Sequence, residues 1–258
     1  MIHDKIISLK HFLIYYIGIV LVVFLPAGIE KRSEAQERGT DGTTDALVRK
    51  IVHGYGGATV LENTHSLSAR GLIESPLYEG PAEYSFFLKR DRKLRVETRS
   101  GRSFEVRILN GRNGNYQAAG SPMTEASGSR LLSMIYQFKE LTMPYQLMTA
   151  AFTITAGGPS SVNGKPAIVL MLKDKEGPPM KLYVDRKSYR IVKDSGVFSM
   201  DGAETELSSE FHDFKKVDGR LLPFRVVNYA GGQKIGELHI REYRVNPELP
   251  DSLFMPEH

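Results

Sequence analysis

From residue 82 onward the hydrophobic positions recur every second residue, the spacing of half-buried β-strands. In YSFFLKRDRKLRVETRSGRSFEVRILN, Tyr84, Phe86 and Leu88 form one such series, Leu94 and Val96 a second, and Phe104, Val106 and Ile108 a third. Each alternates with polar partners. The breaks at Asp91-Arg92, Ser100-Gly101 and Asn113-Gly114 have the composition of short turns. Strands joined so tightly pair antiparallel. Arg95, Glu97, Glu105 and Arg107 then read as a single water-facing surface, with the apolar positions on the other face.

The period changes once. SGSRLLSMIYQFKELTMPYQLMTAAF carries Leu131, Met134, Ile135, Phe138 and Leu141 at helical spacing, with Ser127 or Ser129 as cap and Pro144 as break. A second short helix is expected over 145–151. Strand patterns then resume in FTITAG, PAIVLMLKD, MKLYVDR, YRIVKDSGVF, ETELSSEFHDF, LPFRVVNY and KIGELHIREYRV, separated by Gly-, Asn- and Asp-rich turns. Ahead of all this, Thr43 or Thr44 can cap a helix through DALVRKIVHGYGG. The whole predicts a mainly β fold with some α: one large antiparallel sheet of about ten or eleven strands, which must curl or split at that size. The helical insertion fills its concave face.

One turn has to be weighed against a catalytic alternative. GGPSSVNGKPA (157–167) resembles a phosphate-binding loop, but Pro159 stands where the first Gly is needed and Pro166 where a hydroxyl residue is needed. No helix pattern follows Lys165, as a phosphate loop requires. Asn163-Gly164 reads instead as a two-residue hairpin turn.

Composition narrows the function. The chain has 258 residues, a formal charge of +4 and no run of about five or more Lys/Arg, which gives no electrostatic footprint for nucleic acid. Cys is absent, so there is no disulfide, thiolate metal site or cysteine nucleophile. Lys5 and Lys10 precede the uncharged run Phe12 to Ile29, and Ser33-Glu34-Ala35 offers a cleavage site. Residues 1–35 therefore read as a signal peptide or a retained membrane anchor, 36–44 as a linker and 45–258 as one domain. Both readings of the N-terminus place the domain outside the cytoplasm, in the periplasm or on the periplasmic face of the inner membrane.

No HExxH, GxSxG or fixed carboxylate pair is present, so no metal, cofactor or catalytic residue is assigned and an enzyme is not the leading reading. His212-Asp213 comes nearest to an acid–base pair, but adjacent strand residues point to opposite faces. A polar sheet position explains it as well.

The chain resembles the LolA/LolB-like family of bacterial envelope proteins on a set of turn and strand-end signatures. These are Asn110 to Tyr116 (NGRNGNY), Pro144 to Leu147 (PYQL), Val162 to Ala167 (VNGKPA), Leu182 to Asp185 (LYVD), Asp218 to Pro223 (DGRLLP) and the closing Asn246 to Phe254 (NPELPDSLF). Many relatives have a Trp after the Asn-Gly turn; this chain has none, and Tyr116 stands nearest. The resemblance implies an unclosed half-barrel with helices on its concave side and a hydrophobic cavity for a lipid or lipoprotein acyl chain, with inner- or outer-membrane proteins as further partners. Candidate cavity residues are Val96, Phe104, Val106, Ile108, Leu170 and Leu172 on the sheet and Leu131, Met134, Ile135, Phe138 and Met148 on the helical lid. The same helical stripe also suits ordinary core packing. An anchored structural or sensory protein, binding another protein through its sheet, is the alternative.

Overall fold

The structure is a computed structural model that describes residues 41–200 and 203–256. The expected signal peptide or anchor lies outside the described residues, and so does most of the expected linker. Residues 41–44 of that linker are helical, because the first helix, α1, begins at its Asp41 and runs Asp41–Gly54.

Two short helical steps lead into the sheet: α1, then α2 (Ala58–Glu62). Strand β1 (Ser66–Glu74) follows and sits at the middle of the sheet. From there the chain meanders outward through β2 (Ala82–Lys89), β3 (Lys93–Ser100), β4 (Ser103–Asn110), β5 (Asn113–Ala118) and β6 (Thr124–Ala126). Helix α3 (Gly128–Thr142) and a single 3-10 turn (Tyr145–Met148) then carry it to the opposite edge. It returns through β7 (Thr153–Val162), β8 (Lys165–Lys173), β9 (Met180–Asp185) and β10 (Ile191–Met200). Three long strands finish the sheet: β11 (Ala203–Val217), β12 (Arg220–Ala230) and β13 (Gln233–Val245).

All neighbours are antiparallel, in the order β6-β5-β4-β3-β2-β1-β13-β12-β11-β10-β9-β8-β7. Two meanders are thus sealed by the β1–β13 pair, and β6 and β7, consecutive in sequence, form opposite edges of an unclosed, curved sheet. The connection between those edges has to cross the sheet. That is why α3 lies over the inner face and packs against β4 and β5 of one wing and β10 of the other.

The sheet has 13 strands, more than the alternation implied. The first half of β1, Ser66 to Ala69, is buried on both faces and lacks a period-two signal, and β6 has only 3 residues. At the seam Gly71 marks a bulge: a Cβ there would lie 2.2 Å from the His239 carbonyl oxygen, so only Gly lets β13 approach. The Asn163-Gly164 turn forms as expected, with φ of 50° and 74°, the paired positive values of a tight hairpin.

Asn113-Gly114 is not a turn. The turn is Gly111-Arg112, and Gly114 lies within β5, where an added Cβ would meet Leu131 Cδ1 at 2.9 Å and Ala126 Cβ at 3.1 Å. Its smallness seats α3 on the sheet. The expected water-facing surface is also revised. Arg95 lies opposite Ile108 and Glu97 opposite Val106, whereas Glu105 and Arg107 lie opposite Thr98 and Val96. Directly opposed residues share a face, so the two charged pairs are on different sides. Arg95 and Glu105 are both buried.

The outer face of β3 and β4 is covered by the C-terminal 3-10 turn Asp251–Phe254. Phe254 is fully buried against Val106 and Ile108, with Phe104 beside them. Arg95 Nη1 donates to the Leu253 carbonyl at 3.2 Å, and Lys89 and Lys93 pair with Asp251 at 2.6 and 3.1 Å. Asn246 holds the exit of β13 in place: its Oδ1 accepts from the His65 N–H at 2.7 Å, and its Nδ2 donates to the Asn63 carbonyl at 2.8 Å.

Candidate functional site

The space between α3 and the sheet is not completely filled. A cavity of about 160 Å³ lies there. Its walls come from both wings: Leu67, Ile73, Tyr84 and Phe86 near the seam, Leu207, Phe211 and Val226 on the returning strands, and Leu238 and Ile240 on β13. Its roof is one stripe of α3: Ser133, Tyr136, Gln137, Glu140 and Leu141. The i, i+3, i+4, i+7 spacing of this stripe places it on one helix face.

Two apolar clusters flank the cavity. One, at the seam and first wing, contains Val96, Met134, Ile135 and Phe138, with Leu131 and Leu141 packed on it. The other, under the second wing, contains Leu170 and Leu172, with Met148 packed on it. Tyr136 belongs to this second cluster and stands edge-on to Phe198, with ring centroids 5.2 Å apart. Gly196 gives that ring its place, since a Cβ there would sit 2.7 Å from it.

None of the candidate residues from the sequence lines this cavity. Val96, Leu131, Met134, Ile135, Phe138, Leu170 and Leu172 are brought together around it as closed packing, and Met148 lies at the margin. Phe104, Val106 and Ile108 are on the opposite face, under Phe254. They read as cavity positions only because the 3-10 turn that covers them is remote in sequence. The residues missed, Glu140 above all, carry one signal: they form the less apolar stripe beside the hydrophobic one on the same helix.

The cavity holds a buried acid pair. Asp194 on β10, Ser209 on β11 and Asn228 on β12 are directly opposed in register, making a polar row across the inner face. Glu140 descends onto it from α3. The Ser209 hydroxyl lies 3.2 Å from Glu140 Oε2 and 3.1 Å from Asn228 Oδ1. Asp194 is 1% exposed; its carboxyl is hydrogen-bonded to the Glu140 carboxyl and accepts from the Ser209 backbone N–H, and its Oδ1 has no hydrogen-bond partner. Burial pushes the Glu140 carboxyl up to about 7, against hydrogen bonds from Ser209 and Asp194. Burial also raises Asp194 well above the ordinary carboxylate range, and the Glu140 charge raises it further.

A cation closes the far end. Arg220 on β12 is 4% exposed and points to the C-terminus of α3, with Nη2 at 3.4 Å from the Leu141 carbonyl and 3.5 Å from the Met143 carbonyl. The last carbonyls of a helix favour a positive charge. Burial lowers the guanidinium to about 10, so it stays charged at neutral pH.

His212 lies on the other face from Ser209 and close to Glu210, at 3.7 Å. Asp213 has a φ of 54° and takes Arg225 as its partner at 3.3 Å. Among the described residues, no group of three or more His, Cys, Asp or Glu is placed to hold a metal ion. None of their helices is long and apolar enough to cross a membrane.

No family model and no curated protein matches the chain. Solved structures do match it. A LolA superfamily protein from Nitrosomonas europaea has a TM-score of 0.55 at 16% identity, over 83% of this chain and 97% of that one. A DUF1329 family protein from Desulfovibrio piger also scores 0.55, at 12% identity, over 82% and 97%. A domain assigned as an outer membrane lipoprotein-sorting protein from Vibrio parahaemolyticus scores 0.52 at 13% identity, over 81% and 94%. The fold of this chain is therefore LolA-like.

Proposed function

We propose that this protein binds lipid in the bacterial envelope, holding an acyl chain between the curved sheet and α3. The cavity roofed by a single crossing helix carries the reading. At about 160 Å³ it matches the apolar cavities of about 150 Å³ that take up a benzene-sized group, and it is too small for a long acyl chain. A longer guest needs α3 to lift. The stripe of Leu131, Met134, Ile135 and Phe138 then leaves the sheet, and the guest takes its place on Val96, Leu170 and Leu172.

Such an exchange is nearly balanced, because apolar surface replaces apolar surface. Each methylene buried contributes about 0.8 kcal/mol. What opposes opening is the polar fastening of α3, namely Arg220 at its C-terminus and the Glu140–Ser209 hydrogen bond. The fold shared with a lipoprotein-sorting domain supports an acyl guest and an envelope location. Sorting of lipoproteins as such is a narrower claim and is not needed for this one.

Native mass spectrometry of the protein purified from an envelope fraction tests the reading. A discrete added mass that disappears on organic extraction is expected. A clean unliganded mass, with no uptake of fluorescent fatty acid or phospholipid, would refute it.

A further inference from the structure

The acid pair has no evident place in a purely apolar site. A helix lid over a lipid cavity is seated more cheaply by apolar residues, since each buried carboxyl carries a desolvation cost that an apolar side chain does not. Here the two carboxyls face each other across the joint between α3 and β10. Ser209 meets Glu140 with its hydroxyl and Asp194 with its backbone N–H, and the Asn228 amide oxygen lies beside that hydroxyl. Gln137 on the same helix stripe also has a terminal oxygen without a donor. The corner is therefore rich in acceptors. No lysine or arginine forms an ion pair with Glu140 or Asp194 among the described residues.

We infer that the Glu140–Asp194 corner of the cavity is a binding site for a protonated amine carried on a small apolar group. An ammonium has three donors and no acceptor, which suits Glu140, Asp194 Oδ1 and the Asn228 amide oxygen. The exchange is also balanced in charge. With one shared proton the pair carries one net negative charge; with both carboxyls ionised and one ammonium bound it carries the same. The proton leaves to solvent as the amine enters, and the apolar part of the guest lies against Ile73, Phe86 and Leu238.

The other titratable groups on the cavity wall do not occupy this role. Arg107 is paired with Glu105 at 3.0 Å, and Arg220 is engaged with the α3 carbonyls. Burial raises the phenols of Tyr55, Tyr84, Tyr229 and Tyr243, which stay neutral. The inference goes beyond the acyl reading and depends only on the cavity, so the mass spectrometry above and the titration below fail independently.

The test is a calorimetric titration of the full chain at pH 7 in amine-free phosphate buffer with four probes of one size: benzylamine, benzyl alcohol, toluene and benzoate. Benzylamine is expected to bind about tenfold or more tighter than benzyl alcohol, because its hydrogen bonds are charge-assisted. Benzoate is not expected to bind. Repeating the titration in a buffer of different ionisation enthalpy should show about one to two protons released for each benzylamine bound, since Glu140 is partly protonated at pH 7. Glu140→Gln and Asp194→Asn, each checked for native circular dichroism, should lose the amine preference and keep the affinity for toluene. Equal affinities for benzylamine and benzyl alcohol in the wild-type protein would overturn the inference, and so would an amine preference that survives both variants. Competition by lysophosphatidylethanolamine would identify an amine-headed lipid as the source of the group; its failure to compete would identify a small free amine.

Discussion

Two buried acidic sites lie on the inner face of the same sheet, and they are built differently. In the first wing, Glu105 is 6% exposed and meets the Arg107 guanidinium at 3.0 Å, with Arg130 also acting on it. Burial raises its carboxyl and the arginines draw it back. Where the two wings meet α3, Glu140 faces Asp194, and the main charged neighbour of each is another acid. The first site is compensated by its own sheet and has no use for a ligand. The second stays uncompensated, beside a cavity and beneath the element whose movement the function requires. A buried charge with its counter-ion supplied marks structure; one without marks a place that binds or switches.

The largest effect should come from breaking the compensated site. Arg107→Ala leaves Glu105 buried without its nearest cation and is expected to cost about 3–5 kcal/mol, read by chemical denaturation at pH 8. The loss should shrink at acid pH, where Glu105 takes up a proton.

The uncompensated site should show itself in the pH dependence of stability. Burial pushes the Glu140 carboxyl from its ordinary 4.5 up to about 7 in the folded protein, so between these values the folded state holds a proton that the unfolded state has lost. Stability contributed by this group is therefore full below about pH 4.5 and declines as pH rises through 7. Asp194 shifts in the same direction. Glu140→Gln should flatten the decline and make the variant more stable than wild type at pH 8. A wild-type profile that rises over this range would contradict the arrangement.

A smaller change sharpens the comparison at the lid. Gly196→Ala places a Cβ against Tyr136 and is expected to cost about 1–3 kcal/mol by overpacking, with faster amide exchange in α3 than in β4. The smallest effect belongs to the exposed C-terminal fastening: Lys89→Ala should cost less than about 1 kcal/mol.

Much of this fold is legible in the alternation of residues 84 to 108 and in turns such as Asn163-Gly164, because half-burial and positive φ act locally on residue choice. The faces of β3 and β4 are not. Phe104, Val106 and Ile108 are apolar because Phe254 covers them, and no local pattern announces a partner so far along the chain. The site was hidden for the same reason. Asp194 and Glu140 each read as an ordinary polar residue, and only the passage of α3 from one sheet edge to the other brings them together. Gly114 and Gly196 record that passage, as small residues where the helix rests. In isolation each glycine reads as a turn or a strand defect.

The central claim is that α3 is a lid over a binding space. The chain has no Cys, so two introduced cysteines can carry spin labels without background. Labels at Leu132, exposed on α3, and Gln233, exposed at the start of β13, report the lid-to-sheet distance by pulsed electron resonance. The account expects one narrow distribution in the delipidated protein and a shift to longer distance when a long-chain fatty acid is added. An unchanged distribution under conditions where the fatty acid binds would contradict it, and would place the guest somewhere other than beneath α3.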